Sequence, residues 1–188
     1  MSEIQDMIVA KPRTGTGKGA ARKLRADGFA PAVMYGAGME SQHLSVESEE
    51  LVRVRRQFGR THVYDVAVEG GETFKAMIRE IQVEPVHRTV QHVDFWVVDL
   101  EKPIEMDVRV ECTGKPVGVV AGGIFKHIHR QIRLSGLPEA LPDSITVDVS
   151  GMEPGDTYRL HDLPFPEGCT PGVNEEYFGV FAVSTLKE

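Results

Sequence analysis

Residues 73–84, TFKAMIREIQVE, and residues 89–98, TVQHVDFWVV, flank a Glu84-Pro85 turn signal. In both, apolar and polar residues alternate, the period of a strand with one face against a core. HVYDVAVEG (62–70) precedes them with the same pattern. PIEMDVRVEC (103–112) and SITVDVSG (144–151) continue it. Turn signals separate these runs at Gly70-Gly71, Lys102-Pro103, Gly122-Gly123, Leu141-Pro142-Asp143 and Pro154-Gly155. Two segments read as helices. Gly19–Asp27 is closed by Gly28, and ESEELVRVRRQFG (47–59) offers Ser48 as a cap, Glu49 and Glu50 for the first turn, and Gly59 after the end. Many short strands with few helices predict a mainly β chain built as barrels, rolls or sandwiches.

The 188 residues suit one large or two small domains. Charge supports two. Residues 1–98 carry 13 basic and 13 acidic side chains, whereas residues 99–188 carry 8 and 15, so the whole net charge of -7 falls in the second half. The change coincides with VVDLEKP (97–103), where a proline restarts a set of strands, and the expected domains are 1–98 and 99–188. Cys112 and Cys169 lie 57 positions apart with no metal-ligand spacing around them, so both read as packing residues. No metal or cofactor is expected. The opening residues lack a basic segment followed by an apolar run, and VGVVAGGIF is too short to span a bilayer, which leaves a cytoplasmic protein with no membrane contact as the expectation.

The densest cationic run is RTGTGKGAARKLR, Arg13 to Arg25, with three glycines and five basic residues. It is not a nucleotide-binding P-loop. Pro12 occupies the first-glycine position, and Lys18 is followed by Gly19 instead of a magnesium-binding hydroxyl. At helical spacing Lys18, Arg22 and Arg25 form a stripe opposite Ala20 and Leu24. The glycines ahead of the helix allow close backbone approach to an anion. A stripe along a helix fits a polyanion track better than a compact triphosphate pocket; the competing reading is an ordinary solvated face. RVRRQFGR (53–60) is a second basic run. Its arginines spread around the other helix and face Glu47, Glu49 and Glu50, so it reads as surface.

His92 and Asp94 stand two apart on a strand and share a face. Such a pair can orient a general base, can bond to ribose hydroxyls and base edges, or can simply satisfy itself. Without a nucleophile motif nearby, a hydrolase using His92 and Asp94 is the weaker functional alternative. Tyr35 suits stacking or hydrogen bonding to a nucleotide, or the interior of a barrel. His127 and His129 share a strand face without an evident third ligand and read as ordinary.

Several motifs together resemble a known family. R-x-x-x-G-K-G-A-x-R-x-L-R-x-x-G from Arg13 to Gly28, PAVMYG (31–36) and QHVDF (91–95) are similar to the 5S rRNA-binding protein twenty-five of the bacterial large ribosomal subunit. GKPVGVVAGGIF (114–125), LPEALPDSITVDVSGMEPGD (137–156) and DLPFPEG (162–168) resemble the extra domain of its two-domain form, the Ctc or general stress protein. The resemblance implies an N-terminal six-stranded β-barrel with short helices and a C-terminal all-β, roll-like domain. It also implies a structural, non-enzymatic ribosomal role: the first domain on loop E of 5S rRNA through the minor groove, the second on neighbouring ribosomal proteins or rRNA. Arg13, Lys18, Arg22, Lys23 and Arg25 would then meet phosphates and sugars, while Tyr35, Arg79, Gln82, His92 and Asp94 would form the polar surface against RNA. Lys23 and Arg79 depart from the Arg and Gln that relatives often carry. Arg79 and Gln82 share a face only if their strand bulges or twists. A stress factor that joins the ribosome transiently is the alternative within the same class.

Overall fold

The computed structural model describes residues 6–36, 38–87, 89–172 and 178–184. The chain forms two compact units, Met1–Lys102 and Pro103–Glu188.

The first unit runs β1 (Met7–Pro12), α1 (Lys18–Ala26), β2 (Phe29–Gly36), β3 (Met39–Glu47), α2 (Ser48–Phe58), β4 (Val63–Val68), β5 (Thr73–Val83) and β6 (Val90–Val97). Its six strands close a barrel in the order β1-β3-β2-β6-β5-β4. The mainly β architecture and the six-stranded barrel expected from the sequence are what the chain adopts. Closure relies on two parallel pairs, β1 with β4 and β2 with β6, among antiparallel neighbours. Inward positions mix small and large side chains, with Ala30, Ala32 and Ala76 as well as Tyr64 and Phe95 fully buried, the mixture that suits a narrow barrel interior. Leu51 and Val54 of α2, three residues apart and fully buried, join this core. Each such side chain contributes about 1.5–3 kcal/mol of burial.

Both helices match the sequence reading to within a residue at each end, with one correction. Glu47, not Ser48, is the N-cap of α2, and no side chain caps it. The Ser48 amide instead donates to Gly28 O at 3.0 Å, which ties the start of α2 to the end of α1 and makes Ser48 the first helical residue. Gly59 ends α2 with φ 90°, as its position predicts.

The second unit comprises β7 (Ile104–Thr113), a four-residue α3 (Val117–Val120), β8 (Ile124–His127), β9 (Gln131–Gly136), β10 (Ser144–Asp148), β11 (Thr157–Arg159), a 3₁₀ turn (Leu160–Asp162), β12 (Thr170–Pro171) and β13 (Gly179–Ser184). These make a four-stranded sheet, β10-β7-β9-β12, and a three-stranded one, β11-β13-β8. Val108, Leu134 and Phe181 are fully buried. The His127 and His129 rings pack on Phe181 and Phe178 at 4.6 and 4.0 Å, and burial lowers the His127 pKa below its usual value.

The two cysteines occupy different environments. Cys112 is exposed, whereas Cys169 is buried, donates its thiol to Ala140 O at 3.3 Å, and has its pKa raised by burial. Since thiolate is the reactive form, a thiol reagent at neutral pH modifies Cys112 at least about tenfold faster than Cys169, and denaturant abolishes the difference. Peptide mapping of the labelled chain checks this; equal native rates would contradict the burial of Cys169.

Candidate nucleic-acid interface

β2, β6 and β5 lie side by side and present one outer face. On β6 the inward residues are Val93, Phe95 and Val97, so His92, Asp94 and Trp96 point outward. His92 Nδ1 lies 2.7 Å from Asp94 Oδ1, with both side chains about one-third exposed or less. An ionised carboxylate only accepts, so Nδ1 carries the proton, and in the neutral ring Nε2 is left as an acceptor. Across the β2–β6 pair, Val33 faces Asp94 and Tyr35 faces Trp96. The Tyr35 pKa is raised by burial and by the Asp94 carboxylate, and by Glu80 to a lesser degree, with Arg79 opposing. Its hydroxyl therefore stays a donor at neutral pH.

β5 supplies the other edge through a bulge. Ile78 pairs with Phe95 and Glu80 with Asp94, so Arg79 has no partner in the ladder. Ile78 and Ile81 both belong to the core side, whereas Arg79, Glu80 and Gln82 are exposed. The bulge is what places Arg79 and Gln82 on one face. Arg79 holds its guanidinium over the Trp96 ring, 5.0 Å from the centroid, and Gln82 Nε2 donates to Glu80 Oε1 at 3.2 Å.

The basic run abuts this face. Gly17, with φ 91°, is the N-cap of α1, which has no side-chain cap, no acidic residue in its first turn and no buried residue. Lys18 and Arg22 are exposed while Ala20 and Leu24 are half-buried, as the helical spacing predicts, and Lys23, outside the predicted stripe, is exposed too. Arg25 points differently: its Nε and Nη2 donate to Gln91 O at 3.1 and 2.9 Å, next to His92 on β6. Arg13 is part-buried and spends Nε on Leu44 O and Nη1 on Gly15 O, which shapes the loop before α1. Arg25 thus ties the cationic helix to the strand that carries His92 and Asp94.

The model of the Ribosomal L25p family matches residues 8–95, and that of the Ribosomal protein TL5, C-terminal domain, matches residues 103–187. The chain belongs to the Ribosomal L25p family. Among its relatives, the Large ribosomal subunit protein bL25 of Solidesulfovibrio magneticus is 37% identical over all of this chain and 97% of its own length. That of Syntrophobacter fumaroxidans is 41% identical over 83% of this chain and 80% of its own length, and that of Sorangium cellulosum 36% over 85% and 70%. As a bL25-family chain it is a structural ribosomal protein and not an enzyme, which removes the hydrolase alternative for His92 and Asp94.

In this L25p barrel the ten residues singled out from sequence fall on one surface or on the loop and helix beside it. Sequence reasoning missed Trp96 and Glu80. Trp96 was within reach, being two positions beyond Asp94 on the same strand face. Glu80 was not, because strict alternation puts it inside and only the bulge turns it out.

Proposed function

We propose that the N-terminal domain, residues 1–98, binds 5S rRNA at loop E through the minor groove, with the α1 cations on the phosphate backbone and the β2–β6–β5 face on ribose and base edges. The observation that carries this reading is the link from α1 to β6 through the Arg25 guanidinium and Gln91 O, which sets the cationic helix beside the strand of His92 and Asp94. Lys18, Arg22 and Lys23 meet phosphates. Arg13 and Arg25 border the same track with the donors that the main chain leaves, since a guanidinium has five. The wide RNA minor groove displays 2′-hydroxyls and the guanine amino group, both hydrogen-bond donors. The His92 Nε2 acceptor fixed by Asp94 suits either. Tyr35 and Gln82 add donors, and Arg79 over Trp96 adds a flat cationic surface.

Full-length protein is titrated with a 5S loop E fragment and, separately, with an unrelated RNA duplex of equal length at two salt concentrations. Selective binding that survives moderate salt is the expected result; weak, unselective binding refutes the reading. His92→Ala and Asp94→Ala each reduce discrimination between the two RNAs by about 1–3 kcal/mol while leaving the salt slope in place.

For the C-terminal domain, residues 99–188, we propose contact with a neighbouring ribosomal protein. Its charge of 8 basic against 15 acidic groups disfavours RNA. Val117, Val120 and Ile124, which are 55%, 71% and 46% exposed, give it apolar surface to bury.

A further inference from the structure

The β5–β6 ladder skips a residue twice, once on each strand. Arg79 is unmatched between the Ile78–Phe95 and Glu80–Asp94 pairs, and Gln91 is unmatched between the Gln82–His92 and Val83–Val90 pairs. A bulged residue drops out of the ladder, so its carbonyl needs another donor. Each of these carbonyls receives one from an arginine. Arg60 Nη2 donates to Arg79 O at 3.0 Å, and Arg25 Nε and Nη2 donate to Gln91 O.

We propose that Arg60 and Arg25 are positioning residues that latch the two bulges and thereby decide which side chains the proposed RNA face presents, an inference that rests on that reading for its functional half. The first bulge reverses the alternation of β5. Without it, Glu80 and Gln82 turn toward the core and Ile81 turns toward solvent. The second lets Val90 and Val93 both stay inside while His92 faces out.

The latches come from different places. Arg25 sits in the last turn of α1. Arg60 follows Gly59 at the corner after α2, where the buried Tyr64 hydroxyl donates to Gly59 O and the Phe58 and His62 rings stack at 4.8 Å. A braced corner makes a well-defined anchor for the guanidinium. Arg60 thus belongs to the site by geometry, although its run of arginines reads from sequence as plain surface.

Trp96, the single tryptophan, reports on the first latch because the Arg79 guanidinium lies against its ring. Arg60→Ala in the full chain is expected to shift Trp96 emission and increase its quenching by acrylamide before any RNA is added. It is also expected to weaken 5S rRNA binding about tenfold with the salt slope unchanged, because Arg60 acts on the protein main chain and not on phosphate. Arg60→Lys keeps one donor for Arg79 O and recovers part of both signals; it carries the test if the alanine variant does not fold. Unchanged Trp96 emission and quenching overturn the latch. So does a salt slope lowered by about 0.7–0.9, which would make Arg60 a direct phosphate contact. Failure of the unmodified chain to bind 5S rRNA would overturn the RNA reading alone, since the Trp96 signals are measured without RNA.

Discussion

Replacing Lys18, Arg22 and Lys23 together by alanine is expected to lower the affinity for 5S rRNA roughly 100- to 500-fold at 0.1 M monovalent salt. Each phosphate contact adds about 0.7–0.9 to the slope of log affinity against log salt, the range between single-strand and duplex values. Relative to 1 M salt, three contacts at 0.1 M are therefore worth roughly 2.1–2.7 decades, and the slope flattens by the same amount. Stability should barely move. All three side chains are exposed, α1 buries no residue, and alanine is the better helix former. Arg13 and Arg25 are left intact in this variant because their guanidiniums hold main-chain carbonyls, so removing them would mix structural loss with lost phosphate contact. Binding titrations at four salt concentrations provide the check. An unchanged slope would mean that α1 does not face the RNA backbone.

The second large effect is on the fold, at Gly36. A Cβ there would lie 2.5 Å from Val97 O and 2.7 Å from Trp96 Cδ1, on a backbone with φ 122°. Strain at positive φ costs about 1–3 kcal/mol and overpacking a similar amount. The nearest atom is a main-chain oxygen in the parallel β2–β6 pair, so it cannot swing away as a side-chain end would. Gly36→Ala is expected to destabilise the barrel by about 3 kcal/mol or more, lowering its Tm by about 12–24 °C. Gly28→Ala serves as the control: φ is 87°, but nothing lies within 4 Å of the added carbon, so only backbone strain of about 1–2 kcal/mol applies. Equal losses in the two variants would show that the contact with Val97 and Trp96 does not matter. Trp96 emission follows the same event, because the glycine lies against its ring.

Alternation made β4 to β7 and β10 legible, since each has one face in a core and one toward water. β1 and β3 were harder. MIVAKP is short, and β3 opens with five residues that are exposed or half-exposed, so neither shows a sustained period. The cationic stripe of α1 and the His92–Asp94 pair were readable because each depends only on local spacing. The tasks of Arg25 and Arg60 were not. Their partners lie 66 and 19 positions away and exist only where a ladder skips a residue. The same skip hid Glu80, since no sequence period announces a change of phase. Ser48 misled for a related reason: its amide is claimed by Gly28, which brings the end of one helix to the start of the next.

The parallel pairs carry a consequence for how the barrel comes into being. Residues 32–36 of β2 hydrogen-bond to residues 93–97 of β6, and β1 waits for β4. Such distant partners must meet before their contacts repay the closure entropy, which makes assembly slow compared with a hairpin. During synthesis, β2 emerges well before β6, with its parallel edge unpaired. Hairpins β2–β3 and β4–β5 can form early, but the barrel stays open until Val97 has left the exit tunnel. The surface made by β2, β6 and β5 therefore does not exist on a nascent chain, and its last strand to be translated is also the one that carries His92, Asp94 and Trp96.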